Sequence, residues 1–175
     1  MELNDLEKKA YDLGFAYEAR YHNCAQCTIA AVQDTLGLRD DAVFRSASTM
    51  GAGIATACDG PCGGYSGAAM MIGSLWGRRR DKFDGDLENK AKSNRLAAEL
   101  HDVFIKEYGT VICREIHQKI YGRTFNLSDE ADRAAFDEAG AHTTKCTVVV
   151  GKAAAAVLRL IMEERARESA AGLLG

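Results

Sequence analysis

A single proline, Pro61, interrupts the 175-residue chain, and this scarcity constrains the fold more than any other feature. Proline removes a backbone donor and breaks helix interiors, so a chain that lacks it elsewhere can form long helices. Alanine, a strong helix former, is abundant. Apolar residues make up 47% of the chain and charged residues 27%, which is typical of one globular domain with a real core. We therefore expect an all-α helical bundle, formed by a single domain over residues 1–175.

Apolar residues recur at helical spacing along most of the chain. The first helix is expected from about residue 4 to residue 21, and a second begins at Cys24, with Asn23 as its N-cap and Gly37 as its C-cap. Further helices are expected over about 41–50, 65–76, 87–108, 112–121 and 145–170, with a surface loop at 78–86 and a short helix within 126–141. Residues 147–150 are the one strand candidate, but the alanines that follow favour a helix.

Glycines concentrate in one segment, residues 51–67, which also contains Pro61. This composition predicts a loop whose backbone bends sharply or approaches another group closely. Cys58 and Cys62 lie in the same segment. We therefore expect a loop rich in glycine and cysteine, near residues 51–67, at one end of the bundle.

The chain contains six cysteines, although a core of this size needs no disulfides for stability. Residues 1–9 do not show the basic region and apolar run of a secretory signal. No apolar stretch approaches the ~20 residues of a membrane span. We therefore expect a cytoplasmic protein, in which clustered cysteines more often bind metal or act as redox thiols than form structural disulfides.

Four cysteines stand near predicted helix starts. Cys24 follows Asn23, Cys62 ends the glycine loop, and Cys113 and Cys146 stand near the starts of later helices. A helix N-terminus presents unpaired N–H groups and a positive partial charge, and both stabilise thiolates. If these helix ends meet, the four thiols can converge on one redox or iron–sulfur site.

Two close cysteine pairs support a metal-free alternative. Cys24 and Cys27 form a C-x-x-C pair, and Cys58 and Cys62 form a C-x-x-x-C pair. Such pairs can form reversible disulfides, so these four residues would be the redox thiols of a thiol–disulfide oxidoreductase or redox switch. Cys27 also falls on the apolar face of its helix, where a buried thiol can act simply as a small apolar side chain.

A structural zinc site or a helical interaction surface is the third alternative. Zinc accepts four cysteines, or three cysteines and one histidine, without taking part in chemistry. His22 lies two residues before Cys24, and His117 lies four residues after Cys113. Either histidine could supply a ligand or tune a thiolate.

The charge pattern gives no support to a nucleic-acid or membrane partner. The net charge is −3, and the one basic block, residues 78–80, is followed closely by Asp81 and Asp84. The phosphate-binding G-x-x-x-x-G-K pattern is also missing from the sequence. We expect redox proteins as partners, and the small-residue helix faces make a homodimer plausible.

Several segments together resemble a known family. They are Tyr-His-Asn-Cys-Ala-Gln at 21–26, Cys-Gly-Gly-Tyr-Ser-Gly at 62–67, Cys-Arg-Glu at 113–115, and Cys146 before the last helix. In this order they resemble the C_GCAxxG_C_C family of redox-active proteins, over about residues 21–163. Gly64 stands where the family usually has alanine, and Cys27 and Cys58 lie outside its four-cysteine pattern.

The resemblance also implies a cofactor. The iron–sulfur part of split-Soret cytochromes is similar to this family, which implies a [2Fe–2S] or [4Fe–4S] cluster for electron transfer or redox sensing. The implied ligands are Cys24, Cys62, Cys113 and Cys146.

Overall fold

The computed structural model describes residues 2–172. Within that range the chain forms helices, shorter helical turns and one isolated β-bridge but no strand, so the all-α prediction is confirmed. The helices are α1 (Leu3–Tyr21), α2 (Cys24–Leu36), α3 (Asp41–Ser46), α4 (Gly63–Trp76), α5 (Leu87–Tyr108), α6 (Cys113–Tyr121), α7 (Glu130–Glu138) and α8 (Cys146–Ala170). Two 3₁₀ turns, Ala47–Thr49 and Arg80–Lys82, and one π-helical turn, Ala141–Lys145, lie between them.

The main core lies between α1, α2, α4, α5 and α8. Helix α8 packs along α1, and α4 packs against both α2 and α5. Close approach of α1 and α8 depends on Gly151, where a Cβ would lie only 2.9 Å from the ring of Tyr11. The largest fully buried side chains come from every one of these helices except α1; examples are Ile29, Met71, Phe104, Leu158 and Ile161.

A second, smaller core is aromatic and lies around α6 and α7. The rings of Tyr121, Phe125 and Phe136 pack on one another with centroids 5.2–5.6 Å apart. Cys58 and Cys113 are buried in the same cluster. We call this cluster the aromatic core.

Most predicted helices are present with nearly the expected bounds. Asn23 caps α2 by accepting a hydrogen bond from the Gln26 N–H at 3.3 Å, and Gly37 ends the helix in the left-handed conformation. Residues 147–150 are helical, as the alanine run predicted. None of the described helices is both long enough and apolar enough to cross a membrane.

The predicted glycine- and cysteine-rich loop near residues 51–67 is present, and the helix expected from residue 65 begins two residues earlier, at Gly63. The irregular segment ends at Cys62, and residues from Gly63 onward already belong to α4. These glycines are required by packing rather than by a turn. A Cβ at Gly67 would overlap the carbonyl oxygen of Ala25 in α2, and a Cβ at Gly64 would lie 3.3 Å from Ala153 in α8.

Candidate metal and redox site

A cavity of about 330 Å³ lies where α1 ends and where α2, α4, α6 and α8 begin. Its wall includes Cys24, Cys62, Cys113 and Cys146. Cys24, Cys113 and Cys146 are the first residues of their helices, and Cys62 is the N-cap of α4. The structure therefore brings together the four thiols that the sequence placed at helix starts.

Backbone hydrogen bonds fix the loop that carries Cys62, which we call the cysteine loop (residues 50–62). The Cys62 N–H donates to the carbonyl of Val111 at 2.7 Å, and Pro61 forms an isolated antiparallel bridge with Ile112. The loop is thereby attached to the segment that leads into α6. This attachment brings the start of α4 close to the start of α6.

Cys24 is held in a polar pocket made by the backbone. The N–H groups of Ala52 and Gly63 face its sulfur, which also contacts the Cys62 thiol. The hydrogen bond with Cys62 and burial raise the pKa of the Cys24 thiol, while the two N–H groups oppose that change. If a metal displaced the thiol proton, the same two N–H groups would stabilise the Cys24 thiolate as a ligand.

Cys113 lies against two further metal-ligating side chains, Cys58 and His117. One potential ligand atom from each residue lies within 4.8 Å of the other two. The hydrogen bond between the thiols, together with burial, raises the pKa of Cys113, and the same bond lowers the pKa of Cys58. Ionisation of one thiol of the pair therefore opposes ionisation of the other. Burial also lowers the pKa of His117 to about 4, so its imidazole is neutral at pH 7.

Cys146 completes the wall from the side of α8. Its sulfur lies 3.3 Å from the hydroxyl of Tyr121. Burial raises the pKa of the Cys146 thiol, and the hydrogen bond with Tyr121 opposes that change. The hydroxyl of Tyr121 is therefore placed to stabilise a thiolate at Cys146.

Glu18 and His142, which sequence reasoning missed, also contribute to the wall. Glu18 is only 3% exposed, and its Oε1 lies 3.7 Å from Nδ1 of His142. The His142 ring stacks on His22 with a centroid separation of 3.7 Å. No local signal could have found Glu18, because a single glutamate within an amphipathic helix is ordinarily exposed.

The thiols that touch are not the close pairs of the sequence. Cys24 contacts Cys62, and Cys58 contacts Cys113. The Cys27 thiol donates to the His22 carbonyl at 2.9 Å and lines a separate depression beside Tyr17 and Tyr21. All six cysteines are free thiols.

The cavity has the donor set that a cysteine-ligated cluster requires. Four sulfur atoms border it, and backbone N–H groups face one of them. Its volume lies within the roughly 300–1,000 Å³ common for ligand and cofactor sites. A Cβ at Gly63 would overlap the sulfur of Cys24, so glycine at this position keeps that ligand in place. The residues present therefore fit a cluster of this kind.

Comparison with known proteins identifies one family. Residues 22–160 match the model of a family described as "Putative redox-active protein (C_GCAxxG_C_C)". Searches of curated proteins and of solved structures gave no match. The matched segment covers most of the chain and contains all six cysteines. The chain therefore belongs to the C_GCAxxG_C_C family of redox-active proteins.

Proposed function

We propose that the protein binds an iron–sulfur cluster through Cys24, Cys62, Cys113 and Cys146 and serves in electron transfer or redox sensing. The observation that carries this proposal is the convergence of these four thiols on one cavity, each from the start of a different helix. Four thiolates are the usual complement for a [2Fe–2S] or a [4Fe–4S] cluster. When bound, such a cluster supplies one-electron chemistry.

The surrounding residues support an anionic cofactor. The N-termini of α2, α4 and α6 place positive partial charge around the cavity. The N–H groups of Ala52 and Gly63 and the hydroxyl of Tyr121 hydrogen-bond to ligand sulfur atoms, and such bonds are one of the means by which proteins set a reduction potential. The electron donors and acceptors would be redox proteins. We propose the cytoplasm as the compartment, because clustered cysteines serve there more often as metal ligands or redox thiols than as structural disulfides.

Metal and sulfide analysis of anaerobically purified protein tests the cluster directly. We expect iron and inorganic sulfide, with visible absorption that bleaches on addition of dithionite. Serine replacement of Cys24, Cys62, Cys113 or Cys146 should each lower the iron and sulfide content. Cys27→Ser is the matched control, because the Cys27 thiol donates to a backbone carbonyl in a separate depression. A colourless protein without iron or sulfide would overturn the proposal.

The contacts between thiols favour a metal-free thiol–disulfide function as the second candidate. Cys24 lies beside Cys62, and the sulfur atoms of Cys58 and Cys113 lie within 4.8 Å of each other. Oxidation of either pair would form one disulfide and release two protons, while two electrons reduce a disulfide of a partner protein to two thiols. Mass spectrometry of protein equilibrated in thiol–disulfide buffers should then find 24–62 and 58–113 linkages. Finding neither linkage would exclude this candidate.

A further inference from the structure

We propose that Cys58, Cys113 and His117 form a second site, for a single zinc-like divalent cation, which shares Cys113 with the proposed cluster. Two of these residues, Cys58 and His117, take no part in the proposed cluster. All three side chains are buried, with exposures of 3%, 4% and 3%. Two thiols and one imidazole are a donor set that zinc binds well, and zinc is commonly held by three protein ligands with its fourth position open.

The spacing of the donor atoms agrees with a tetrahedral ion. A zinc–sulfur bond of about 2.3 Å and a zinc–nitrogen bond of about 2.0–2.1 Å separate the two donors by about 3.6 Å. The Cys113 sulfur lies 3.6 Å from Nε2 of His117. The Cys58 sulfur lies within 4.8 Å of both partners, so all three donor atoms could reach one ion.

The backbone holds Cys58 against Cys113. The Cys113 N–H donates to the carbonyl of Gly60 at 3.0 Å, and the Arg114 N–H donates to the carbonyl of Cys58 at 2.8 Å. These bonds fasten the cysteine loop to the first turn of α6. A Cβ at Gly53 would lie 2.9 Å from Cβ of Cys113, so the loop also packs directly on this residue. The backbone conformation, and not only the side-chain rotamers, therefore brings the two thiols close together.

His117 is oriented toward the same point by its neighbours. Its ring packs on Tyr121, Phe125 and Phe136 with centroid distances of 5.5, 6.0 and 5.0 Å. Nε2 faces the Cys113 sulfur, and within residues 2–172 Nδ1 has no hydrogen-bond partner. Nε2 is therefore the ring nitrogen that an ion beside the Cys113 sulfur would use.

The ion could reach its site from the cavity, because Cys113 and His117 are part of the cavity wall. Binding to two thiols would release two protons, one from each sulfur, to solvent. Cys113 also belongs to the proposed cluster ligands, so we infer that the ion and the cluster are alternative occupants. The ion site itself does not depend on the proposed function.

Titration with Co²⁺, a spectroscopic substitute for zinc, tests the site in the full-length chain after removal of bound metal under reducing, anaerobic conditions. We expect one equivalent to bind, with thiolate-to-cobalt absorption. Cys58→Ser and His117→Gln should each weaken binding at least about tenfold. Cys27→Ser, which removes a buried thiol outside both sites, should leave the titration unchanged. Circular dichroism will show whether each variant is folded.

X-ray absorption at the cobalt edge provides a second measurement that needs no variant. We expect two sulfur atoms and one imidazole nitrogen among the ligands. Four sulfur atoms, or binding that is lost in Cys24→Ser and retained in Cys58→Ser, would overturn the proposal. The two proposals fail separately, because Cys58→Ser and His117→Gln test the ion site, whereas iron and sulfide content tests the cluster.

Discussion

At the scale of one residue, Glu18 shows how burial in the cavity wall changes the pKa of a side chain. Its carboxyl group faces Cys24 and Cys27 of α2 and His142 of the π-helical turn. Burial, together with the nearby Cys24 thiol, raises the pKa of Glu18 to about 9, although the neighbouring Cys27 side chain opposes the change. Burial also lowers the pKa of His142. The two side chains are therefore both neutral at pH 7 rather than an ion pair.

This raised pKa makes folding stability depend on pH. The folded protein retains the Glu18 proton up to about pH 9, whereas the unfolded chain loses it near the ordinary value of 4.5. The stabilising effect of that proton is complete below pH 4.5 and is lost as the pH rises toward 9. We expect Glu18→Gln, which mimics the neutral acid, to gain stability relative to the native chain by on the order of 2 kcal/mol between pH 5 and pH 8. Urea unfolding at the two pH values measures this difference.

Glu138→Gln is the matched control for this prediction, because it makes the same chemical change at an exposed position in α7. Its free energy of unfolding should follow that of the native chain at both pH values. A constant offset between Glu18→Gln and the native chain from pH 5 to pH 8 would show that Glu18 is ionised in the folded state.

At the scale of one element, helix α4 shows that glycine within a helix can allow close contact with neighbouring groups. Its first two residues, Gly63 and Gly64, are buried, and Gly67 lies one turn further on. We expect Gly63→Ala to displace the Cys24 sulfur, because the new methyl group would occupy its place. The variant should lose bound iron and be destabilised by about 1–3 kcal/mol. Iron content and urea unfolding measure the two effects.

Gly73→Ala in the same helix is the control. Within the described residues, a Cβ at Gly73 would meet no atom within 4 Å. Alanine is the better helix former, so this variant should gain about 0.5–1 kcal/mol of stability and keep its iron. Equal behaviour of the two variants would show that the position of Cys24 does not depend on Gly63.

The same helix shows what could and could not be predicted from the sequence. The start of α2 and the end of α5 follow local rules, namely the Asn23 cap and the glycine at position 109, and both ends were predicted closely. The start of α4 was expected two residues late, because its first glycines serve contacts with α2 and α8, which no local pattern reveals.

Long-range contacts limited the prediction of the site more than they limited the prediction of the helix bounds. The four cysteines at helix starts were selected from local context alone, and the structure places them around one cavity. The contact between Cys58 and Cys113, and the approach of Glu18 to His142, arise from distant segments of the chain. Proximity in sequence instead suggested the pair Cys24 and Cys27, which helix α2 keeps in different environments.

At the scale of the whole molecule, the cavity lies between two cores. Cys62 and Val149 belong to the main core, while Cys113, Leu127 and Phe136 belong to the aromatic core, and all five line the cavity. A metal centre held by Cys113 together with ligands from the bundle would link the two. The aromatic core is small and buries few large side chains, so it has less independent stability than the bundle.

Removal of bound metal should therefore loosen the aromatic core before the bundle. A ligand that binds only the folded state stabilises the elements that hold it, and its loss raises the rate of local opening there. We expect chelation to increase amide hydrogen exchange in α6 and α7 on the order of tenfold or more. Helix α5 is the internal control, because it packs on α4 and α8 away from the cavity wall. Equal changes in α5 and α6, measured by mass spectrometry, would instead mean that the metal stabilises one undivided folding unit.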